Sequence, residues 1–310
     1  MAKIFIDGSA GTTGLRIHER LALRPELEII TLPEELRKDT QARAEALNQA
    51  DIAFLCLPDA AAIEAVSLLT NPDTVVIDTS TAHRTAPGWT YGFPELAQSQ
   101  AEIATAKRIA NPGCHASGFI SLVAPLVRAG ILDAATQLSC FSLTGYSGGG
   151  KKMIAQYEAP AEEVDPLFAA PRVYGLTQQH KHLPEMVKIC GLEQAPIFSP
   201  IVAPYYAGME VCVPVFANQL NGGIAAVQKA YADTYSHGLV KFVEGADEAG
   251  FLSAAVLAGR DDMQVSVYGQ EERLLLVSRF DNLGKGSSGA AIQNMNIVLG
   301  LDEATGLNRG

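Results

Sequence analysis

No apolar run in the 310 residues approaches the roughly 18 that a membrane-spanning helix needs, so no transmembrane segment is expected. Cysteine is sparse and scattered. Cys56, Cys114, Cys140, Cys190 and Cys212 make an odd number with no Cys-x-x-Cys pair, which supports neither a disulfide framework nor a thiolate zinc site. Positive charge is also in short supply. With 23 Lys and Arg against 34 Asp and Glu, the net charge of -11 argues against a nucleic-acid-binding surface. A local basic pocket for a small anion stays compatible with that balance. The opening MAKIFIDGSAG has neither a long apolar signal core nor a small-residue cleavage site, and a cytoplasmic protein is expected. Repeats, low-complexity tracts and coiled-coil heptads are missing too. What is present is 48% hydrophobic content against 18% charged, enough for packed cores in two lobes.

KIFIDGSAGTTG reads as a buried strand over residues 3–7, a glycine-rich turn, and a helix over residues 12–23. Gly8 permits the tight turn, Gly11 lets backbone approach a pyrophosphate, and Gly14 lets the helix pack close to the strand. Ser9, Thr12 and Thr13 complete this candidate cofactor loop. Strands at 27–32, 51–58 and 74–80 alternate with helices, which implies parallel pairing and right-handed crossovers. The apolar run AFLCL belongs inside a sheet covered on both faces, which makes Cys56 a core residue. At the end of the second strand, where an acid would hold the ribose of NAD, Pro33 stands with Arg37 and Lys38 nearby. That tips the reading toward NADP, although Glu34 and Glu35 mix the signal.

NPGCHASG places Cys114 just past a strand ending in KRIANPG and at the start of a helix. Open α/β sheets bind ligands at such carboxyl ends, and the helix N-terminus favours thiolate over thiol. The remaining cysteines lie in strand-like or helix-like apolar company and read as packing. A thiolate beside a nicotinamide attacks an acyl carbon, and hydride then moves between that carbon and the cofactor. The acid/base candidates are His180 and His182 of QQHKHLPEM, read as an extended segment with both imidazoles on one side and Lys181 opposite. His115, beside the cysteine, is set aside in their favour, and His18 and His237 read as surface residues. The His-x-His spacing lacks a carboxylate or third histidine at ligand distance, so no metal is expected.

Taken together, DGSAGTTG, NPGCHASG, GYSGGGK, QHKHLPEM and DNLGKGSSGAAIQNMN resemble the N-acetyl-gamma-glutamyl-phosphate reductases of arginine biosynthesis, in their shorter form. The resemblance implies an α/β fold like the glyceraldehyde-3-phosphate and aspartate-semialdehyde dehydrogenases. A Rossmann-type parallel-sheet domain at 1–113 would be joined by a C-terminal helix at 287–310, with an α+β catalytic and dimerisation domain at 114–286. It also implies NADPH-dependent reduction of N-acetyl-glutamyl 5-phosphate to the 5-semialdehyde with release of phosphate. Cys114 would be the thioester-forming nucleophile, and His182, in preference to His180, the acid/base. Lys285, Gly286 and Asn294 would approach the cofactor. Ser147, Gly148 and Lys151 of the glycine turn, with Arg84, would hold substrate or phosphate. Lys151 stands where other members have arginine, which keeps the charge and loses the bidentate fork.

After the cysteine helix the strands QLSCFSLTG, SPIVAPYYAGMEVCVPVF and MQVSVYGQEERLLLVSRFDN follow with few helices, so an antiparallel or mixed sheet is expected. Such a sheet would suit a homo-oligomer, a dimer or a tetramer. Two other classes stay in view, an aspartate-semialdehyde dehydrogenase and a non-catalytic NADP-binding regulator. A short-chain dehydrogenase does not fit, because no tyrosine has lysine four residues on.

Overall fold

The computed structural model describes residues 1–96, 99–160 and 162–310, which form two compact units. The first comprises Met1–Pro94, the stretch ending at Pro112, and Ser287–Leu307. The second holds Glu95 and Leu96, Gly113–Gly286 and Asn308–Gly310.

In the first unit β1 (Ala2–Asp7), α1 (Thr12–Leu21), β2 (Leu27–Ile30), α2 (Thr40–Gln49), β3 (Ile52–Leu55), α3 (Asp59–Ser67), β4 (Val75–Asp78), β5 (Thr90–Tyr91), α4 (Ser99–Thr105) and β6 (Arg108–Ala110) follow one another. Every strand pair is parallel, in the order β2-β1-β3-β4-β6-β5. The order reverses at β1, so the turn after β1 lies at the switch point where sheets of this kind take their ligands. Ile4 and Ile6 face Ile17 and Leu21 of α1 and Met295 of the terminal helix (Gly289–Val298). Phe5 points the other way, into a cluster with Leu47 of α2 and Ala62 of α3. With both faces covered, the strands read as unbroken apolar runs.

The second unit contains α5 (Cys114–Arg128), β7 (Ser139–Gly145), α6 (Gly150–Tyr157), β8 (Arg172–Val173), α7 (Leu183–Cys190), β9 (Ile197–Ala203), β10 (Met209–Phe216), α8 (Gly223–Thr234), β11 (Val240–Phe242), β12 (Met263–Gln270) and β13 (Arg273–Phe280). Its sheet is mixed, in the order β11-β12-β13-β10-β7-β9-β8, with β7–β9 and β11–β12 parallel. Residues 115–126 of α5 are all buried, between this sheet and the helices α7 and α8. Gly118 approaches β10 so closely that a Cβ there would sit 2.3 Å from the Val211 side chain. Alternation along β10 sends Val211, Val213 and Val215 to the covered face, while Pro214 and Phe216 are exposed on the other.

Several segments differ from their expected form. Residues 180–182 are not extended but turn into α7. His182 has helical backbone angles (φ -87, ψ -13) and Pro184 sits in the first turn, where a missing N–H is harmless. The second strand stops at Ile30, the last residue paired with β1, two residues short of its expected end. Residues 284–288 form a wide π-type turn, and the helix that follows ends at Val298. No helix among the described residues is long and apolar enough to cross a membrane.

Candidate active site

In the first unit the glycines of the turn after β1 are held by contacts that a side chain would break. Gly8 has φ +88, and a Cβ there would lie 2.3 Å from the Cys56 carbonyl oxygen. A Cβ on Gly14 would lie 2.4 Å from the Gly8 carbonyl oxygen, so α1 starts directly on the turn. The Gly11 N–H donates to the Gly8 carbonyl at 3.0 Å, and Gly11 caps α1, whose first turn carries no acid to offset its positive end. Thr13 Oγ1 lies 3.1 Å from Ser287 Oγ, tying α1 to the segment that leads into the terminal helix. Cys56 is half-buried at the end of β3 under this turn rather than deep in the core, and burial pushes its thiol up to about 12.

A cavity of about 770 Å³ opens here, bordered by Gly8, Ser9, Leu32, Arg37, Lys38 and Arg43 among others. That volume suits a cofactor. Asp7 is 4% exposed and accepts from Nε and Nη2 of Arg43 at 3.1 and 2.9 Å, while Arg43 Nη1 reaches Glu64 at 3.3 Å. Burial pushes the Asp7 carboxyl up in spite of Arg43. Glycine turn, acid-free helix end and cavity together fit a dinucleotide. His18, expected on the surface, lines the same cavity. Asn294 is fully buried and donates to the Gly92 carbonyl and to Asn111 Oδ1 at 3.0 and 3.2 Å. Arg84 is buried too, giving Nε to the Asn111 carbonyl and Nη2 to the Thr79 carbonyl, each at 3.0 Å.

In the second unit Cys114 opens α5. Extended backbone at Gly113 caps the helix, and both the N–H and the hydroxyl of Ser117 donate to the Gly113 carbonyl. The Gly113 N–H donates in turn to a Glu185 carboxylate oxygen of α7 at 3.1 Å. Cys114 is half-exposed, whereas Cys140, Cys190 and Cys212 are buried and burial pushes their thiols up. Burial therefore disfavours a thiolate at those three. Gly286 is packed against Cys114, since a Cβ there would lie 3.0 Å from Cys114 Cβ. The loop that carries Gly286 is fixed by buried Asp281. Its Oδ1 accepts from the N–H groups of Leu283 and Gly284, and its carbonyl accepts from Gly286.

Three imidazoles gather in this unit. The ring centroids of His180 and His182 are 4.8 Å apart, and each lies 5.6 Å from that of His115. The His182 N–H donates to Nδ1 of His180 at 3.2 Å. Burial and then Lys181 lower His180 to about 4, which keeps it neutral near pH 7. His115, set aside in the sequence, belongs to the cluster: its Nδ1 is 2.7 Å from Ser142 Oγ and its Nε2 is 2.6 Å from Tyr174 Oη. Lys285 is buried with its ammonium 2.7 and 2.8 Å from the two carboxylate oxygens of Glu95. Ser147 is buried and accepts from Asn282 Nδ2 at 2.9 Å, Gly148 is adjacent, and Lys151 is exposed in the first turn of α6. Sequence reasoning missed Glu185, Ser142, Tyr174 and Glu95. Only Glu185 carried a signal, as the acid in the first turn of the helix that follows His182.

Two family descriptions match the chain, "Semialdehyde dehydrogenase, NAD binding domain" over residues 3–104 and "Semialdehyde dehydrogenase, dimerisation domain" over residues 114–282. N-acetyl-gamma-glutamyl-phosphate reductase 2 of Pseudomonas putida is 45% identical over 311 aligned positions, covering 98% of each chain. The N-acetyl-gamma-glutamyl-phosphate reductase of Brucella ovis is 48% identical over 307, covering 96% of this chain and 99% of its own. Among solved structures, aspartate semialdehyde dehydrogenase II of Vibrio cholerae matches with a TM-score of 0.72 at 18% identity, over 96% of this chain and 98% of that one. The aspartate semialdehyde dehydrogenase of Francisella tularensis also gives 0.72, at 14% identity, over 96% and 100%. At such low identity these two likenesses establish the fold alone.

Proposed function

The chain belongs to the N-acetyl-gamma-glutamyl-phosphate reductase family, and on that premise we propose how its residues divide the work of reducing N-acetyl-glutamyl 5-phosphate to N-acetyl-glutamate 5-semialdehyde. The observation that carries the proposal is the placing of a partly exposed cysteine, Cys114, at a helix N-terminus in the unit that gathers His180 and His182. The Cys114 thiolate attacks the acyl carbon, the carbon–oxygen bond to phosphate breaks, and a thioester forms on the sulfur. His182 takes the thiol proton and passes it to the leaving phosphate. His180 is the weaker candidate, because its Nδ1 is engaged by the His182 backbone and its basicity is lowered to about 4. Glu185, bonded to the Gly113 N–H, fixes the turn that presents the sulfur.

The dinucleotide belongs in the first-unit cavity, with Gly8, Ser9, Gly11, Thr12, Thr13 and Gly14 at its pyrophosphate. Held there, a reduced nicotinamide would supply the hydride that the reduction needs. Arg37 and Lys38 at the cavity wall favour the 2′-phosphate of NADP(H) over NAD(H). Ser147, Gly148 and Lys151 are assigned to the phosphoryl group as a backbone nest with one ammonium. Arg84, committed to two carbonyls, acts as a brace of the Thr79 and Asn111 loops. In the second unit, the sheet face that exposes Phe216 and Ile197 is assigned to a second copy of the chain.

Phosphate-dependent oxidation of N-acetyl-glutamate semialdehyde and of aspartate semialdehyde, with NADP, tests the reading. Turnover of the first is expected, and turnover of aspartate semialdehyde alone would overturn it.

A further inference from the structure

The hydrogen bonds of His115 fix a direction of proton donation for which the proposed reaction, on which this inference rests, has an evident use. Ser142 is fully buried in β7, and among the described residues its hydroxyl meets one side-chain partner, His115 Nδ1 at 2.7 Å. A buried O–H left without an acceptor costs about 1–3 kcal/mol. The Ser142 proton is therefore directed at Nδ1, which makes Nδ1 the lone-pair nitrogen of the ring. Burial lowers His115 to about 3, so the imidazole is neutral near pH 7 and its one ring proton sits on Nε2. Nε2–H then donates to Tyr174 Oη at 2.6 Å. Because Tyr174 accepts in that bond, its own hydroxyl proton points elsewhere, and no acceptor for it occurs among the described residues. The phenol is held close to the start of α5, because the histidine that it meets is the residue after Cys114. The relay is clamped by rings, with Phe198 5.4 Å and His180 5.6 Å from His115, both edge-on.

We propose that Tyr174 is a catalytic hydrogen-bond donor to the oxygen that becomes negative when the Cys114 thiolate adds to the acyl carbon, and that Ser142 and His115 are positioning residues that aim it. As the C–S bond forms, the carbonyl π pair moves onto oxygen, where the phenol O–H meets it without surrendering its proton. The pair returns to carbon as the bond to phosphate breaks, so the relay needs no external proton. A donor waiting in a fixed direction stabilises the charged state with no reorganisation at the moment of reaction.

Tyr174→Phe removes the donor and keeps the ring. With N-acetyl-glutamyl phosphate and NADPH as substrates, kcat is expected to fall about 100-fold, the usual loss for one oxyanion donor, with KM little changed. Iodoacetamide labelling of Cys114 is expected to keep its parental rate, because the donor serves substrate oxygen and not the sulfur. An unchanged kcat, or kcat and labelling lost together, would overturn the proposal. Nitrogen-15 spectra of the parent protein at neutral pH provide the second measurement, with His115 expected to carry its proton on Nε2. A proton on Nδ1 would overturn the aiming argument whatever the variant does. A parent that reduces no acyl phosphate but shows the Nε2 proton would sink the functional reading and leave the aimed donor standing.

Discussion

Lys285 carries its ammonium into a space that water does not reach, where Glu95 receives it through both carboxylate oxygens. Removing one partner of such a pair leaves the other charged and buried, so Lys285→Met is expected to destabilise the fold by about 3–5 kcal/mol. The midpoint of urea unfolding measures this, and an unchanged midpoint would show that Glu95 finds another partner. The histidines give a pH prediction of definite sign. His115 is held at about 3 and His180 at about 4, both below the ordinary 6.5, so the unfolded chain binds more protons through that interval. Their contribution is fully present above about pH 6.5 and is lost as pH falls toward 4. In His180→Gln the fall in stability over that window should be shallower than in the parent; an identical slope would contradict it. These residues also show what a sequence conceals. The place of Cys114 at the start of a helix was legible because it depends on immediate neighbours, Gly113 before it and a helix after it. Glu95 and Lys285 are 190 residues apart, Gly113 and Glu185 are 72 apart, and His115 and Tyr174 are 59 apart. Nothing in local spacing joins such pairs.

At the scale of elements, two close approaches decide whether helices can sit where they do. A Cβ on Gly14 would meet the Gly8 carbonyl oxygen at 2.4 Å, so Gly14→Ala must push α1 off the turn that it abuts. Dinucleotide affinity, followed by fluorescence titration, is expected to drop at least tenfold, about 1.4 kcal/mol, with the second unit undisturbed. Unchanged affinity would separate this turn from the cofactor. In α5 a Cβ on Gly118 would meet Val211 at 2.3 Å, and overpacking of that kind costs about 1–3 kcal/mol, readable as a lowered unfolding midpoint. The alternation of strands and helices in the first unit was legible, because a sheet covered on both faces selects continuous apolar strands. The turn into α7 was not, since residues 180–182 have too few neighbours of fixed period to betray a helix start. The rings of His180 and His182 meet there through that turn and not through an extended segment, and His115, set aside in the sequence, joins them.

For the whole molecule, the second unit's sheet has one face closed by helices and another that leaves Ile197 67% and Phe216 61% exposed. Large apolar side chains in that setting are stable when a second surface covers them. Phe216→Asp is expected to shift sedimentation toward the monomer, and an unchanged distribution would assign the oligomer contact elsewhere. The division into two units was readable from the change in strand pattern after the cysteine helix. Strand order was not, because a mixed seven-stranded sheet is set by pairings between distant segments. The central claim is that Cys114 carries the acyl group during turnover. Mass spectrometry of the protein mixed with N-acetyl-glutamyl phosphate in the absence of NADPH tests this most directly. One N-acetyl-glutamyl group on the peptide containing Cys114, discharged on addition of NADPH, is the predicted result. An unmodified Cys114 during active turnover, or the acyl group on another cysteine, would contradict the account.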